Sequence, residues 1–283
     1  MKNLLKQITP QLAINLYRKL FIPKKEIHSE NLHYGSVWSG HYSSWQEAQN
    51  NTKGYDDRAI LEKCKDSLLK VKNGEANYER DSVLFDKIQY SWPVLASLQR
   101  SAIENNNKLS VLDFGGSFGS TYFQNKDFIT KKVDLRWHIV EQKNFVEEGK
   151  KFFEDDRLLF HETIEKLLES EKPNCLLLSS VLPYLPDPFA WIKKFIQFGF
   201  EFIIIDRTSF INGDDRLTIQ KVPESIYLSS YPCWFFNKEK FLTYFANKYD
   251  LIAEFDDSFT SEQTVDGEKG YWKGFYFKLK NGG

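Results

Sequence analysis

The 283-residue chain has three cysteines, one methionine and almost no net charge, formally −1 at pH 7. Each shortage excludes something. Cys64, Cys175 and Cys233 stand far apart, in no metal-ligand spacing and no disulfide framework, so no metal site is expected. An odd, scattered set fits a reducing cytoplasm, and Cys175 lies in an apolar run that reads as core. Balanced charge leaves no whole-protein electrostatic footprint for nucleic acid. Target-base tetrads of the Asn-Pro-Pro-Tyr or Asp-Pro-Pro-Tyr kind are also missing. No apolar run reaches the roughly 20 residues that span a bilayer. The first residues lack an uninterrupted apolar stretch and a small-residue cleavage site, so no secretory leader is expected. Internal repeats are absent. Aromatics, by contrast, are plentiful, with 24 Phe and 14 Tyr, enough for a sizeable core.

The most informative stretch is 108–120, Lys-Leu-Ser-Val-Leu-Asp-Phe-Gly-Gly-Ser-Phe-Gly-Ser. Leu109, Val111 and Leu112 predict a short buried strand that ends at Asp113. Gly115, Gly116 and Gly119 then make a glycine-rich turn with a short helix after it. Such a turn admits a ligand close to the backbone, because no Cβ intervenes and positive φ is available. A dinucleotide fingerprint wants glycines at i, i+2 and i+5. Here they stand at i, i+1 and i+4, with Ser117 at i+2. The acid two residues before the first glycine repels a pyrophosphate but suits an ammonium-bearing ligand. The stretch therefore favours S-adenosylmethionine, with its ammonium and sulfonium, over a nicotinamide dinucleotide.

On these residues the chain resembles class I S-adenosylmethionine-dependent methyltransferases, which carry an apolar strand followed by Asp/Glu-x-Gly-x-Gly-x-Gly. Asp113, Gly115 and Gly119 match, and the middle glycine is replaced by Ser117 next to Gly116. More narrowly, Leu-Asp-Phe-Gly-Gly-x-x-Gly resembles a bacterial family of methyltransferases associated with surface-polysaccharide synthesis. That likeness extends over Trp38 to Ala48, Tyr78 to Phe85 and Val222 to Phe236. The resemblance implies a Rossmann-like, seven-stranded α/β sheet, mostly parallel with an antiparallel last strand, over 108–283. An N-terminal helical extension or cap would occupy 1–107.

Along the chain, residues 1–25 hold six Lys/Arg and no acid, with Leu4, Leu5, Ile8, Leu12, Leu16 and Leu20 near helical spacing. A basic amphipathic helix of this kind either docks on its own domain or makes peripheral contact with an anionic membrane face. Ser44 with Glu47 is a capping-box signature, so a helix is expected from Trp45. His33 and His41 lie in a loop. Packing accounts for either, and His41 is also a candidate acceptor-site base. Asp56 is expected to cap a helix running to Asn73, with Gly74 as its stop and Ile60, Leu61, Cys64, Leu68 and Val71 on its buried face. Arg80 and Asp81 either pair with each other or serve the site. A further helix is expected after Phe85, and another starting near Pro93.

From Leu109 the alternation of strand and helix predicts a parallel sheet. Asp134 to Val140 is a second strand, closing on Glu141, whose carboxylate can accept from both hydroxyls of a ribose. Leu158 to Phe160 is a third, followed by His161, a candidate neighbour of an adenine or a helix cap. Leu176 to Leu178 form a buried strand that ends in Ser179 and Ser180. The prolines after it predict an extended loop that carries Tyr184 before a helix over 189–198. Ligands of open α/β sheets bind outside the carboxyl ends of strands. Ser179 and Ser180 are therefore expected beside the methyl group, and Tyr184 is a candidate catalytic residue there. Glu201 to Ile205 is a central strand closing on Asp206, a candidate base, and Arg207, a candidate acceptor-anion ligand or a structural ion pair. Residues 209–236 are longer than an ordinary connection. They carry an aromatic wall in which Tyr231 is a candidate substrate contact. Asn237 should cap a helix. Leu251 to Phe255 and Tyr271 to Leu279 supply two last strands, the final one an antiparallel edge.

The expected protein is a cytoplasmic S-adenosylmethionine-dependent methyltransferase with a small-molecule or saccharide acceptor. Asp113, Gly115, Gly116, Gly119, Glu141, His161, Ser179 and Ser180 would hold the donor. Two alternatives stay open: a nicotinamide-dependent oxidoreductase, and a methyltransferase-like scaffold without catalysis.

Overall fold

A computed structural model describes residues 36–52, 58–129, 131–223, 229–260 and 262–280. Residues 1–25, His33 and the Asp56 cap lie outside them.

Strand β1 (Val37–Ser39) leads to helix α1 (Trp45–Gln49). Ser44 caps it as expected: the Glu47 N–H donates to Ser44 Oγ at 3.2 Å. The Glu47 carboxylate accepts in return from the N–H and hydroxyl of Ser43, one residue earlier than in the standard box. Helix α2 (Arg58–Lys72) buries Ile60, Leu61 and Leu68. It stops before Gly74, whose φ of 74° a side chain would oppose. Strands β2 (Tyr78–Arg80) and β3 (Val83–Phe85) then form a two-residue hairpin. Asp81 and Ser82 have φ of 51° and 67° at its tip, the mirror-image turn that fits the strands' twist. The helix expected after Phe85 is absent; bends and irregular chain run to Ser91, and α3 (Trp92–Glu104) starts with Pro93 in its first turn. The described part of 36–107 is thus mixed, three helices with three short strands, where a helical extension or cap was expected.

The main sheet follows. Strand β4 (Lys108–Phe114) leads through the glycine turn to α4 (Ser120–Asn125). Next come β5 (Asp134–Val140), α5 (Lys143–Phe152), β6 (Leu158–His161), α6 (Ile164–Leu168) and β7 (Cys175–Ser179). Between β7 and α7 (Pro188–Phe198) the extended loop is tighter than expected, holding one 3₁₀ turn over Leu182–Tyr184. Strand β8 (Phe202–Ile211) runs six residues past the expected end at Ile205. It continues into the hairpin β9 (Arg216–Val222) and β10 (Ser229–Phe235). Helix α8 (Lys238–Thr243), capped by Asn237, β11 (Tyr249–Asp256), β12 (Gln263–Val265) and β13 (Glu268–Leu279) complete the chain.

Across the sheet the order is β6-β5-β4-β7-β8-β13-β11, with β12 paired to β13. Strands β6 to β8 pair parallel, and β13 is antiparallel to β8 and β11. The last strand is antiparallel as expected but sits one place in from the edge, which β11 takes. This is a mixed α/β, Rossmann-like sheet. Side chains alternate into two cores: Val111, Trp137, Leu177 and Ile204 on one face, Leu112, Leu178, Ile203 and Ile205 on the other. Burial on both faces explains why these strands read as continuous apolar runs rather than alternating ones.

Two features place the site. The sequence order of strands reverses between β4 and β7, and open α/β sheets take ligands at such a reversal. The 209–236 excursion also folds into a second, antiparallel sheet, β1-β9-β10, that faces the same opening.

Candidate functional site

The carboxyl ends of β4, β5 and β7, the middle of β8, the β2–β3 hairpin and the second sheet line one cavity of about 650 Å³. Seven carboxylates and three cations line it: Glu79, Asp81, Asp113, Glu141, Glu162, Glu165 and Asp206 against Arg80, Lys194 and Arg207.

At one end lies the glycine turn. Gly115 has φ of 72° and donates its N–H to Val140 O at 2.9 Å, tying the turn to β5. A Cβ on Gly116 would stand 2.6 Å from Asp113 Cγ, so bare backbone is required beside the acid. Gly119 caps α4 with φ of 98°. It supports the turn without lining the cavity, whereas Gly115, Gly116, Ser117 and Ser120 line it. Asp113 is 1% exposed and accepts one hydrogen bond, from Trp137 Nε1 at 3.0 Å. Burial pushes its carboxyl up to about 7, the Trp137 bond opposes this, and the nearby Glu141 adds to it. Glu141 is raised to about 7 by loss of solvent, against backbone hydrogen bonds from Gln142, at 2.6 Å, and Ser117. Strands β4 and β5 pair in register, Phe114 opposite Val140, so adjacent strand ends carry the two acids.

At the other end, Ser179 and Ser180 line the floor, and Ser180 has φ of 56°. Ser179 Oγ donates to Asp206 Oδ2 at 3.3 Å. Asp206 is 4% exposed, and its Oδ1 has no hydrogen-bond partner. Burial raises it to about 7, and Asp257 adds to the rise. Arg207 pairs with Asp81 at 2.6 Å, so it serves as a strut between β8 and the hairpin tip. Asp81 is thus engaged across the cavity instead of with its neighbour Arg80. Arg80 donates to Gln89 at 2.9 Å and lies 4.0 Å from the centre of the Phe259 ring. Tyr184 donates its hydroxyl to Gln220 Oε1 at 2.7 Å and meets Tyr231 edge-on. Burial holds the Tyr184 hydroxyl well above its usual range, which disfavours it as a base. Tyr231, Trp38 and Trp272 complete an aromatic wall.

Besides Gly119, two expected site residues lie apart from this cavity. His41 is exposed in the loop after β1 and does not line it. The ring of His161 turns toward His138, Nε2 to Nδ1 at 3.2 Å, while its neighbours Glu162 and Thr163 line the wall. Among the lining residues that escaped the sequence reasoning are Glu79, Gln220 and Phe259. The available signal for Glu79 was the stretch Tyr78 to Phe85, over which the family resemblance extends. Nothing local marked Gln220 or Phe259.

No metal-holding group of three or more His, Cys, Asp or Glu occurs among the described residues. No helix among them is long and apolar enough to cross a membrane.

No protein-family model and no curated protein matches the chain. Solved structures give partial likenesses. The N-terminal domain of EvdMO1, crystallised with SAH and D-fucose, aligns at TM-score 0.44 and 10% identity, over 80% of this chain and 98% of that one. An amino pentose methyltransferase from Micromonospora echinaspora, with SAM bound, aligns at 0.43 and 11%, over 68% and 92%. An S-adenosylmethionine-dependent methyltransferase from Clostridium acetobutylicum aligns at 0.41 and 12%, over 66% and 91%.

Proposed function

We propose that the chain is an S-adenosylmethionine-dependent methyltransferase acting on a small-molecule or saccharide acceptor. The observation that carries this is the pair Asp113 and Glu141. They stand at the ends of adjacent parallel strands and flank a glycine turn at the strand-order reversal. The residues fit the donor. Gly116 keeps the turn free of a Cβ, and the buried lining carboxylates Glu79, Asp113 and Asp206 make no ion pair among the described residues. A buried, uncompensated carboxylate is costly and is relieved by a cation. A donor with an ammonium and a sulfonium meets that need; a dinucleotide pyrophosphate does not.

In this account Asp113 and the backbone of Gly115 to Ser117 hold the amino-acid and ribose edge. Glu141 accepts from the ribose hydroxyls, and Ser179 and Ser180 line the floor by the methyl group. Bound there, S-adenosylmethionine supplies a methyl carbon activated by its sulfonium. The protein's work is then alignment and water exclusion, worth up to roughly 7–11 kcal/mol when complete. Asp206 is the best-placed base: it lines the cavity, its buried Oδ1 has no hydrogen-bond partner, and a carboxyl near 7 is matched to taking a proton at neutral pH. Tyr184, held by Gln220, orients the acceptor rather than ionising. The aromatic wall of Tyr184, Tyr231, Trp38 and Trp272 beside polar groups suits a sugar ring, which supports a place in surface-polysaccharide synthesis. The β2–β3 hairpin and Trp38 close one side of the site, and the basic segment 1–25 would offer peripheral membrane contact.

Calorimetric titration of S-adenosylhomocysteine and of NADH into wild-type protein, Asp113→Asn and Glu141→Gln tests this. Micromolar binding of S-adenosylhomocysteine alone, weakened by both substitutions, is expected. Binding of NADH in its place would move the assignment to an oxidoreductase.

A further inference from the structure

The β2–β3 hairpin crosses the cavity from the glycine-turn helix to the middle of β8. On one side Glu79 Oε1 accepts from the hydroxyl of Ser120, the first residue of α4. On the other Asp81 pairs with Arg207. Glu79 Oε2 accepts from the Ser82 N–H at 3.1 Å, across the hairpin's own turn. Glu79 is 3% exposed and lines the cavity. Among the described residues it makes no ion pair. Its neighbour Arg80, which also lines the cavity, does not pair with it: Arg80 donates to Gln89 and packs on the Phe259 ring. Buried carboxylates are normally paired, and this one faces a ligand-sized space beside the glycine turn instead. Its own environment registers the deficit: burial, with Asp81 adding to it, raises the carboxyl to about 7.

We infer that Glu79 is the counter-ion for the α-ammonium of an aminoacyl-bearing adenosyl ligand, so that the β2–β3 hairpin completes the donor site from outside the main sheet. This rests on the donor assignment above. It adds a recognition element that the strand-and-glycine stretch does not contain. Asp113, at 1% exposure behind Gly116, is then freed from acting as the sole acid at that end. The arrangement also makes the ligand a fastener: an ammonium at Glu79 links the hairpin to the sheet through the bound molecule.

The test compares ligands that differ only at the amino-acid end. S-Adenosylhomocysteine, 5′-methylthioadenosine, which lacks the amino-acid end, and 4-(5′-adenosylthio)butanoate, which lacks only the amino group, are titrated into wild type and Glu79→Gln. Loss of a charge-assisted contact is expected to weaken S-adenosylhomocysteine at least about tenfold in Glu79→Gln. Methylthioadenosine should bind both proteins within about twofold, which also shows that the variant's adenosine site is folded. Removing the amino group should cost wild type about the same tenfold and cost Glu79→Gln little, the non-additivity of a direct contact. Equal weakening of all three ligands, or unchanged affinity for S-adenosylhomocysteine, would overturn the inference. So would a wild type that does not discriminate against the deaminated ligand, a result that needs no variant. Failure of wild type to bind any of the three would instead overturn the donor assignment itself.

Discussion

The two ends of the cavity are built differently. The glycine-turn end comes from contiguous chain: Asp113 to Ser120 supply an acid, bare backbone and a helix start within eight residues, and Glu141 stands at the next strand end. The opposite end is assembled from segments far apart in sequence. Asp81 meets Arg207 across 126 positions, and Tyr184 meets Gln220 across 36. A ligand part common to many enzymes needs a local, rigid cradle. A part peculiar to one enzyme is met by loops and an added sheet laid over that cradle. Substitutions at the two ends should therefore separate cleanly in what they damage.

The largest effect is expected for Gly116→Ala. Its methyl would stand 2.6 Å from the Asp113 carboxyl carbon, so the acid or the turn must move. Overpacking of this kind costs roughly 1–3 kcal/mol. Binding of S-adenosylhomocysteine should fall beyond calorimetric detection, while circular dichroism still reports a folded sheet. Micromolar binding in that variant would break the idea that bare backbone beside the acid defines this end.

A smaller effect, on pH dependence, follows from the buried acids. In the folded protein Asp113, Glu141 and Asp206 each titrate at about 7, against roughly 4 for free carboxyls. Between those values the folded state holds more protons than the unfolded one. Stability should therefore decline as pH rises from about 4 to about 7, then level off. A bound cation favours the ionised acids, so S-adenosylmethionine should flatten the decline and bind more tightly at pH 8 than at pH 6. Melting temperatures measured with and without it across that range check both statements. A melting temperature that climbs from pH 4 to 7 without ligand would show that the acids are ionised in the folded state.

Trp137→Phe sharpens the comparison further. It leaves Asp113 without its one hydrogen-bond donor, at a cost of about 1–3 kcal/mol for an unsatisfied buried group. The Asp113 carboxyl should rise above its present value, and affinity at pH 7 should fall several-fold yet recover at pH 8.5. A pH-independent loss would point to packing instead.

The smallest effects on donor binding are expected at the far end. Tyr184→Phe removes the bond to Gln220 and should cost about 1 kcal/mol of stability. Asp206→Asn keeps the shape of the base while abolishing its proton uptake. Both should bind S-adenosylhomocysteine within about twofold of wild type. Tenfold losses in either would mean that the two ends are one unit.

The same contrast decides how much was legible in the sequence. The main sheet read well, because its strands are apolar runs set at regular intervals by helices, and the caps at Ser44 and Asn237 mark where helices start. Asp113 and Glu141 were legible because strand position alone brings them together. His41 misled because an aromatic-rich loop gives no sign of which side faces the cavity. His161 misled because its partner, His138, sits on the neighbouring strand, 23 residues away. Glu79 was missed for a related reason: its partner Ser120 lies 41 positions on. The excursion of 209–236 was flagged by length, but its conversion into a sheet with β1 depends on pairing that spans most of the chain.

The most direct test of the central claim is a crystal structure of the protein grown with S-adenosylhomocysteine. The account predicts ribose hydroxyls on Glu141, the amino-acid end against the Gly115–Ser117 backbone, and the thioether directed toward Ser179 and Asp206. Crystals of the folded protein that show the ligand outside this cavity, or its ribose away from Glu141, would contradict it.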